Sequence, residues 1–367
     1  MIKKAYHFMK NLIDFIYEYK IYWLDESWHK TYYTGLQKNK VVIFFDIIMW
    51  FFKHGEFNGF YYAYGLNIVN SDMNFYMPYK SFMLKRNQLN HTSPKYRGKD
   101  YTIILKDKQI FSNYFTSFNI PVLKNKYLIK NNKMVDLDNH YKVTVDEFLE
   151  NNTGQYFCKV IDGECGIGAF SFGINDDKTI TINGIVSSYD KLKGLMLNNY
   201  IVQEIVKQNN EMNKIYPQSV NTIRIVTINN HRDDIYISNA QFRCGVDGNI
   251  TDNWARGGIS IGINVNNGKL FEYGVYKPGY GTLTKNHPNT KFVFMNYKLP
   301  FWGEVKNLVI NAHYHIDKLY TIGWDVAILE SGPIIIEGNE NWEISHCQAT
   351  LMGKFGREDV NKIFEII

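Results

Sequence analysis

The stretch GWDVAILESGPIIIEGNENW, Gly323 to Trp342, holds two apolar runs, Val326 to Leu329 and Ile334 to Ile336, each flanked by an acid. Asp325 precedes the first run, Glu337 follows the second, and Asn339 lies two residues further on. A β-hairpin with the three-residue loop Glu330-Ser331-Gly332 is predicted, Gly332 supplying the left-handed residue such loops use. Leu329 then faces Pro333, Ile328 faces Ile334, and Asp325 faces Glu337. The two acids share a sheet face about 5 Å apart at Cβ, and Asn339 points the same way. A two-residue loop would shift the register and break the pairing. Carboxylates this close repel unless something compensates. A divalent cation would do so, and two carboxylates with an amide oxygen suit Mg²⁺ or Mn²⁺ rather than zinc. The alternative is two strand-end acids pointing separately into solvent.

The chain around this stretch has 367 residues, enough for two or three domains and a sizeable core. Hydrophobic residues at 45% and charged residues at 21% are ordinary globular values and exclude a mainly disordered chain. The net charge is +5, but the basic residues are dispersed, so no nucleic-acid partner is expected. Cys158, Cys165, Cys244 and Cys347 form no CxxC pair. They read as free thiols in a reducing cytoplasm rather than zinc ligands. No signal-peptide core follows Met1, so a cytoplasmic location is expected. The run VVIFFDIIMWFF, Val41 to Phe52, is too short to span a membrane and contains Asp46. It predicts a buried helix, with peripheral contact at the inner membrane as the alternative.

Residues 1–98 read as mainly helical, with Leu12, Phe15, Ile16 and Tyr19 at helical spacing between Lys10 and Tyr22. Tyr61 to Tyr79 is loop-like, and His91 to Lys99 reads as a linker. Tyr101 to Leu105 is strand-like. Asp107 is placed to cap a helix from Lys108 that carries Ile110, Phe111, Phe115 and Phe118 on one stripe. Short strands and turns follow from Lys126 to Gly184, a strand from Tyr200 to Val206, and more strands from Val220 to Leu270. A helix after Trp302 carries Val305, Leu308, Val309, Ala312, Ile316 and Leu319 on one stripe, while His313 and His315 do not share a face. This order predicts an α+β fold rather than a doubly wound α/β one.

Three further segments bear on chemistry. YFCKVIDGECGIGAFSF places Gly163, Gly166 and Gly168 between two strand-like runs. No helix pattern follows, so it is neither a dinucleotide-binding turn nor a P-loop. It fits a flap over a triphosphate, with Lys159 reaching a phosphate, or a tight hairpin without a ligand. In SVNTIRIVTI, Arg224 shares a face with Val220, Thr222 and Val226. If buried it needs an anion, either a structural carboxylate or a substrate. Arg243 follows in QFRCG, and Asn253, Arg256, Gly257 and Gly258 form a polar turn, ligand-contacting or solvated.

In chain order stand Lys108 in KDKQIF, Lys159 before the glycine loop, QEIV at 203–206, NTIRIVT, DNWARGG and D…EGN. Together they resemble the ATP-grasp enzymes. NTIRIVT, DNWARGGISIGIN, His287-Pro288 and IGWDVAI…IIIEGN resemble more narrowly the sugar-transfer-associated ATP-grasp family, which occurs with bacterial surface-polysaccharide genes. The resemblance runs from about residue 55 to about residue 355. It implies an ATP-grasp fold in which two α+β subdomains clasp ATP, a lid at 99–200 and a core at 201–367, behind the helical region 1–98.

Residue by residue, the resemblance implies that Lys108 and Lys159 contact ATP phosphates and that the loop of Gly163, Gly166 and Gly168 covers them. Gln203, Glu204, Ile205 and Val206 match the linker that binds adenine. Asp325, Glu337 and Asn339 match the magnesium ligands. Arg243, with Asn253 and Arg256, matches residues near the reacting carboxylate and the γ-phosphate. Arg224 matches an arginine in the core strand of the ribosomal-protein glutamate ligases. Glu164 and Cys165 depart from the small or hydroxyl residues expected in the loop. His287-Pro288 and Phe301-Trp302 border either the acceptor site or a packed corner of the core. The implied activity is carboxylate–amine ligation through an acyl phosphate, with ATP and Mg²⁺ or Mn²⁺. The implied partners are a hexuronic acid and an amino acid or small amine. The rivals are an ATP-dependent phosphotransferase acting on a sugar or alcohol, and a non-catalytic nucleotide-binding subunit of a polysaccharide assembly.

Overall fold

A computed structural model describes residues 2–24, 35–91, 100–130, 133–161, 163, 168–196, 199–229 and 234–364. The predicted linker therefore lies outside the described residues from 92 to 99, as do Glu164, Cys165 and Gly166. The chain begins with helices. α1 (Ile2–Leu24) and α2 (Lys40–His54) run antiparallel, Phe15 meeting Phe51 at 4.5 Å between ring centroids and Tyr19 meeting Phe44 at 6.4 Å. Asn39 Oδ1 accepts from the Val42 N–H at 2.9 Å to start α2, and Gly55 ends it at φ 71°. The apolar run on α2 was expected to be buried. Only Ile43, Ile47, Trp50 and Phe51 are, while Val41, Phe45, Met49 and Phe52 face outward. A twelve-residue apolar run coats every side of a helix, and one side alone meets the protein.

α3 (Tyr79–His91) docks this region onto the rest of the chain. Arg86 is buried and donates to the Trp342 carbonyl at 2.5 Å and to Asn341 Oδ1 at 2.7 Å. Asn90 bonds the backbone of Tyr320 and Thr321. The strand expected at Tyr101 to Leu105 is instead the short helix α4 (Ile103–Lys106). Asp100 Oδ1 takes the Thr102 N–H at 2.9 Å and the Thr102 hydroxyl at 2.6 Å, turning the chain before a strand can extend. α5 (Lys108–Ser117) starts as expected at Asp107, whose Oδ1 accepts from Gln109 and Ile110. Its stripe is narrower than expected: Phe111 and Phe115 are buried, Ile110 and Phe118 exposed.

Then come β1 (Tyr127–Lys130), β2 (Lys133–Asp136), β3 (Lys142–Thr144), α6 (Val145–Asn151), β4 (Gly154–Val160), β5 (Phe170–Ile174), β6 (Ile180–Ile182), β7 (Ile185–Ser187), α7 (Tyr189–Leu195) and β8 (Tyr200–Glu204). These strands form one antiparallel sheet in the order β3-β2-β1-β8-β4-β5-β6-β7. α6 was not foreseen; Thr144 and Glu147 cap it reciprocally. After α8 (Asn210–Ile215) follow β9 (Thr222–Asn229), β10 (Ile235–Cys244), β11 (Ile259–Ile263), β12 (Leu270–Tyr276), α9 (Trp302–His315), β13 (Thr321–Leu329), β14 (Gly332–Asn339), α10 (Ile344–Leu351) and α11 (Arg357–Phe364). Their strands form a second sheet in the order β12-β11-β10-β9-β13-β14.

One face of the second sheet packs Ile223, Ile225, Phe242, Trp324 and Val326 against α5 and α9 in the largest core. Val305, Leu308, Val309 and Ala312 supply the α9 stripe, and Ile316 and Leu319 continue it beyond the helix end. His313 is buried on Thr227 and the Leu319 carbonyl, whereas His315 stacks on Phe118. Two antiparallel sheets with flanking helices make the fold α+β, as expected.

Glu56 is buried where α3 begins, its Oε2 accepting from the Lys80 N–H at 2.7 Å. Burial pushes its carboxyl up to about 7, outweighing the backbone donors and the Lys80 charge. A raised carboxyl favours the folded state below its unfolded value of 4.5 and loses that advantage as pH rises through about 7. Glu56→Gln should therefore gain stability relative to the parent chain steadily from about pH 4.5 to 7, then hold that gain. Paired thermal melts across that window measure the difference, and a gap that does not change with pH contradicts it.

Candidate functional site

The hairpin β13–β14 brings the acids together by a different route from the expected one. Its turn has two residues, Glu330 and Ser331, so Leu329 pairs Gly332, Ile328 pairs Pro333 and Ala327 pairs Ile334. The expected pairs of Leu329 with Pro333 and Ile328 with Ile334 are therefore wrong. The chain past Val326–Ile335 then bulges at Ile336, and Asp325 pairs Glu337 after all. Without that extra residue Glu337 would point into the core beside Trp324. Both ends of the arrangement are held from outside the hairpin. Glu330 accepts from Asn209 Nδ2 and the Asn210 N–H, each at 2.7 Å. Ile335 exchanges backbone bonds of 2.9 Å with Pro121 and Leu123.

Register then lines up one row across four strands: Gln241, Arg224, Asp325 and Glu337 on β10, β9, β13 and β14. The adjoining row on this face carries Arg243 opposite Thr222, and the row on the other side carries Gly323 opposite Asn339. Gly323 has to lack a side chain, since a Cβ there would lie 2.8 Å from Trp342 and 3.4 Å from Arg224 Cδ. Arg224 grips Asp325 with two bonds, Nε to Oδ1 at 2.5 Å and Nη2 to Oδ2 at 3.0 Å. Arg243 Nη2 reaches the same Oδ2 at 2.9 Å and also donates to Thr222 Oγ1, with Asp252 3.5 Å from its Nε. Of the two partners left open for Arg224, the structure selects a structural carboxylate.

Electrostatics follow from this lattice. Burial pushes the Asp325 carboxyl up, but the Arg224 and Arg243 charges outweigh it and hold it well below the usual range. Burial opposes the charge on Arg243, and Asp252, Asp325 and Glu337 more than restore it, raising its pKa. Burial raises Asp252 despite Arg243 and Thr222. Three carboxylates against two guanidinium groups leave one negative charge, nearest the half-buried Glu337. Asn339 Nδ2 donates to Glu337 Oε1 at 3.2 Å, both residues lying on the edge strand β14. Among the described residues no group of three or more His, Cys, Asp or Glu side chains gathers as a metal site. The oxygen set of Asp325, Glu337 and Asn339 fits a hard cation such as Mg²⁺ in donor type and in residual charge. The compensation first expected from a metal comes, for Asp325, from arginines.

The residues just after β4 meet α5 through Lys108. Its Nζ donates to the Ile161 carbonyl at 3.2 Å and the Gly163 carbonyl at 2.5 Å. α4 packs on β14 from the core side of the sheet, Leu105 against Gly338 and Lys106 Nζ 3.5 Å from Glu340. Gly168 adopts φ 73°, and a Cβ there would crowd Val160 at 3.0 Å. Lys159, half-buried, lies over the Phe157 ring at 5.6 Å. With Ile201 and Gln203 it shares the β4–β8 face turned away from the Tyr156, Cys158 and Val202 core.

Gln203 is buried. Its Nε2 donates to Asn125 Oδ1 at 2.8 Å, and Asn125 Nδ2 donates to the Lys108 carbonyl at 3.0 Å. Its Oε1 has no hydrogen-bond partner, a condition buried acceptors rarely tolerate without a ligand or water. Glu204 is exposed and paired with Lys126 at 2.5 Å, and Ile205 and Val206 follow the end of β8.

Asn253 and Arg256 lie on the turn that follows Asp252. Asn253 caps the short turn Trp254–Arg256 through Ala255, and Arg256 is exposed. His287 is a packed corner of the core, stacked on Tyr216 and bonded to the Gly245 carbonyl at 2.9 Å. Phe301 and Trp302 line a cavity of about 630 Å³ with Lys298 and Lys306 at the start of α9, on the opposite side of the sheet from the acids. Two participants escaped the sequence reading, Asp252 and Thr222. Asp252 adjoins Asn253 in the same polar turn, the one signal that could have found it. His346, bonded to Ser260 Oγ at 2.7 Å, also covers this face. Burial, then the two arginines, push its pKa well below the usual range.

A glycine-bearing connection between adjacent strands of one sheet, together with paired acids at the edge of a second, points to the ATP-grasp class. A profile of the sugar-transfer associated ATP-grasp family matches residues 87–360, and the chain belongs to that family. Among solved structures it is similar to N5-carboxyaminoimidazole ribonucleotide synthetase from Thermotoga maritima, at 11% identity over 65% of this chain and 42% of that one, TM-score 0.34. It is similar to a biotin carboxylase complex from Campylobacter jejuni at 8% identity, 72% and 46% coverage, TM-score 0.42. It is also similar to D-alanine–D-alanine ligase from Bacillus anthracis at 10% identity, 71% and 67% coverage, TM-score 0.39. The match spans less than half the length of the first two. No curated protein sequence matches the chain.

Arg224 is the partner that Asp325 can least replace. Arg224→Ala should destabilise the fold by about 3–5 kcal/mol, because it strips one side from a buried charge. Adding Asp325→Asn should recover part of that loss, which urea unfolding of both variants would show. Additive losses contradict the pairing.

Proposed function

We propose that this protein is an ATP- and Mg²⁺-dependent carboxylate–amine ligase that forms an amide through an acyl phosphate. The row of Arg224, Asp325 and Glu337, with Asn339 beside it, carries the reading. It offers hard oxygens with net negative charge at the edge of the second sheet. Asp325, Glu337 and Asn339 would hold magnesium, whose charge offsets the negative charge that phosphoryl transfer develops.

In the proposed reaction a substrate carboxylate oxygen attacks the γ-phosphorus, the bond to the β,γ-bridging oxygen breaks, and ADP leaves. The amine nitrogen then attacks the acyl carbon, the carbon–oxygen bond to phosphate breaks, and the nitrogen loses a proton. Lys108 and Lys159 bind ATP phosphates, and the loop of Gly163, Gly166 and Gly168 closes over them to keep water from the acyl phosphate. Gln203 to Val206 hold adenine, with the orphan Gln203 Oε1 as acceptor for an exocyclic N–H. Arg243 steadies the reacting groups electrostatically, with Asn253 and Arg256 on the adjoining turn. Its Nη1 makes no hydrogen bond among the described residues. The lid at 99–200 and the core at 201–367 would be the two halves of the clasp, with α4 and α5 of the first range packed on the second sheet.

For the substrates we place a hexuronic acid of a bacterial surface polysaccharide, or its precursor, opposite an amino acid or small amine. The family's link to sugar transfer supports the acid, and the net charge of +5 suits anionic sugar and nucleotide alike. A cytoplasmic location agrees with the free thiols of Cys158, Cys244 and Cys347. The test is ADP release across a panel of uronic acids and amines, with products read by mass spectrometry. An amide product supports the reading, a phosphorylated sugar or alcohol replaces it with a phosphotransferase, and failure to bind Mg-ATP overturns both. Glu337→Gln should cut ADP formation by roughly a hundredfold or more with the thermal melt unchanged. Parental turnover by that variant would remove the metal assignment.

A further inference from the structure

The α1–α2 hairpin carries an apolar surface that the rest of the chain leaves bare. On α1, Ile13, Ile16 and Tyr17 share one outward face; on α2, Phe45, Met49 and Phe52 do the same. Ile13 is 63% exposed, Met49 60% and Phe52 71%. Their inward neighbours Phe15, Ile47 and Phe51 are buried in a separate aromatic core. Soluble surfaces seldom gather so many large apolar side chains without a use for them.

Charge identifies the occupant. Among the side chains described on the two helices, every exposed charge is a lysine: Lys10 and Lys20 on α1, Lys40 and Lys53 on α2. The acids Asp14, Glu18 and Asp46 are all turned partly inward. Asp46 is further held by Lys38 at 2.7 Å and by the Tyr61 hydroxyl at 2.6 Å. Among the described side chains the exposed charges beside this apolar face are lysines, which match a surface of one negative sign. No helix of the described residues is long and apolar enough to cross a membrane. At 15 residues α2 spans about 22 Å, short of the roughly 30 Å hydrocarbon layer. The hairpin can lie in an interface but cannot traverse it.

We propose that the outer face of the α1–α2 hairpin docks this protein in the plane of an anionic lipid surface. Phe45, Met49, Phe52, Ile13 and Ile16 enter the acyl boundary, and the four lysines meet the headgroups. The inference stands on these two helices and is independent of the ligase reading. It brings the folded core to the membrane without a spanning segment.

The test is co-sedimentation of the full chain with phosphatidylcholine vesicles, with and without phosphatidylglycerol. Binding should be about tenfold or more tighter to the phosphatidylglycerol vesicles and should weaken as salt is raised. The triple substitution Phe45→Ser, Met49→Ser, Phe52→Ser changes only outward side chains. It should lower that binding at least about tenfold with an unchanged circular dichroism spectrum. Lys40→Glu with Lys53→Glu, which keeps the apolar face, should abolish the preference for anionic vesicles. Equal or absent binding to both vesicles, or a triple variant that binds like the parent, overturns the proposal. So does a self-associated species that the triple variant dissolves without any vesicle binding, since the face would then belong to a second copy.

Discussion

The Asp325 carboxylate, held between two guanidinium groups, is the interaction on which the second sheet depends. It is 4% exposed at the side chain, and a charge so placed is tolerable only if it is met from several directions. Arg224 meets it from β9 and Arg243 from β10, so one residue on β13 ties three strands into register. The arginines are secured in turn by Thr222, Asp252 and the space left at Gly323. Because charge is balanced within the sheet, α10 can close over one half of this face with Cys347 on Asn239 and His346 on Ser260. The residual negative charge is left at the uncovered edge, beside Glu337 and Asn339.

The strands of that sheet were legible because β-branched and aromatic residues fill them, Ile223, Ile225, Trp324 and Val326 on one face, with Arg224 and Asp325 among smaller or apolar residues on the other. The register of the hairpin was not legible. The expected three-residue turn and the observed two-residue turn differ by one residue, and the bulge at Ile336 restores that residue further along the strand. The two errors cancel at Glu337, so the pairing of the acids was right for a wrong reason. What sets the turn and the bulge is remote in sequence, Asn209 and Asn210 at one end and Pro121 to Leu123 at the other. No local pattern encodes such partners.

Helices show the same division. Asp107 announces α5 because capping is local, and the Thr144–Glu147 box announced α6 equally plainly but was overlooked within a run of strands. Tyr101 to Leu105 is too short for periodicity to separate strand from helix, and Asp100 decides it. Asp252 was invisible for a different reason. An acid in a polar turn looks solvated until the fold brings Arg243 to within 3.5 Å of it. Sequence therefore reports faces and caps well, and reports partners only when both lie in the same motif.

The way Asp325 is neutralised also bears on when a metal would matter. A site whose acids were opposed only by a bound cation would couple folding to that cation, as small zinc domains do. Here the more deeply buried acid is satisfied by arginines, while Glu337 and Asn339 lie half-buried on the edge strand. The fold can therefore stand on its own ion pairs while the sheet edge stays able to accept a cation that arrives with a polyanion. The same economy appears at the start of α5, where Lys108 rests on the carbonyls of Ile161 and Gly163. A carbonyl is a weaker partner for an ammonium group than a phosphate oxygen. On the proposed reading, nucleotide entry would exchange one for the other at the Lys108 ammonium.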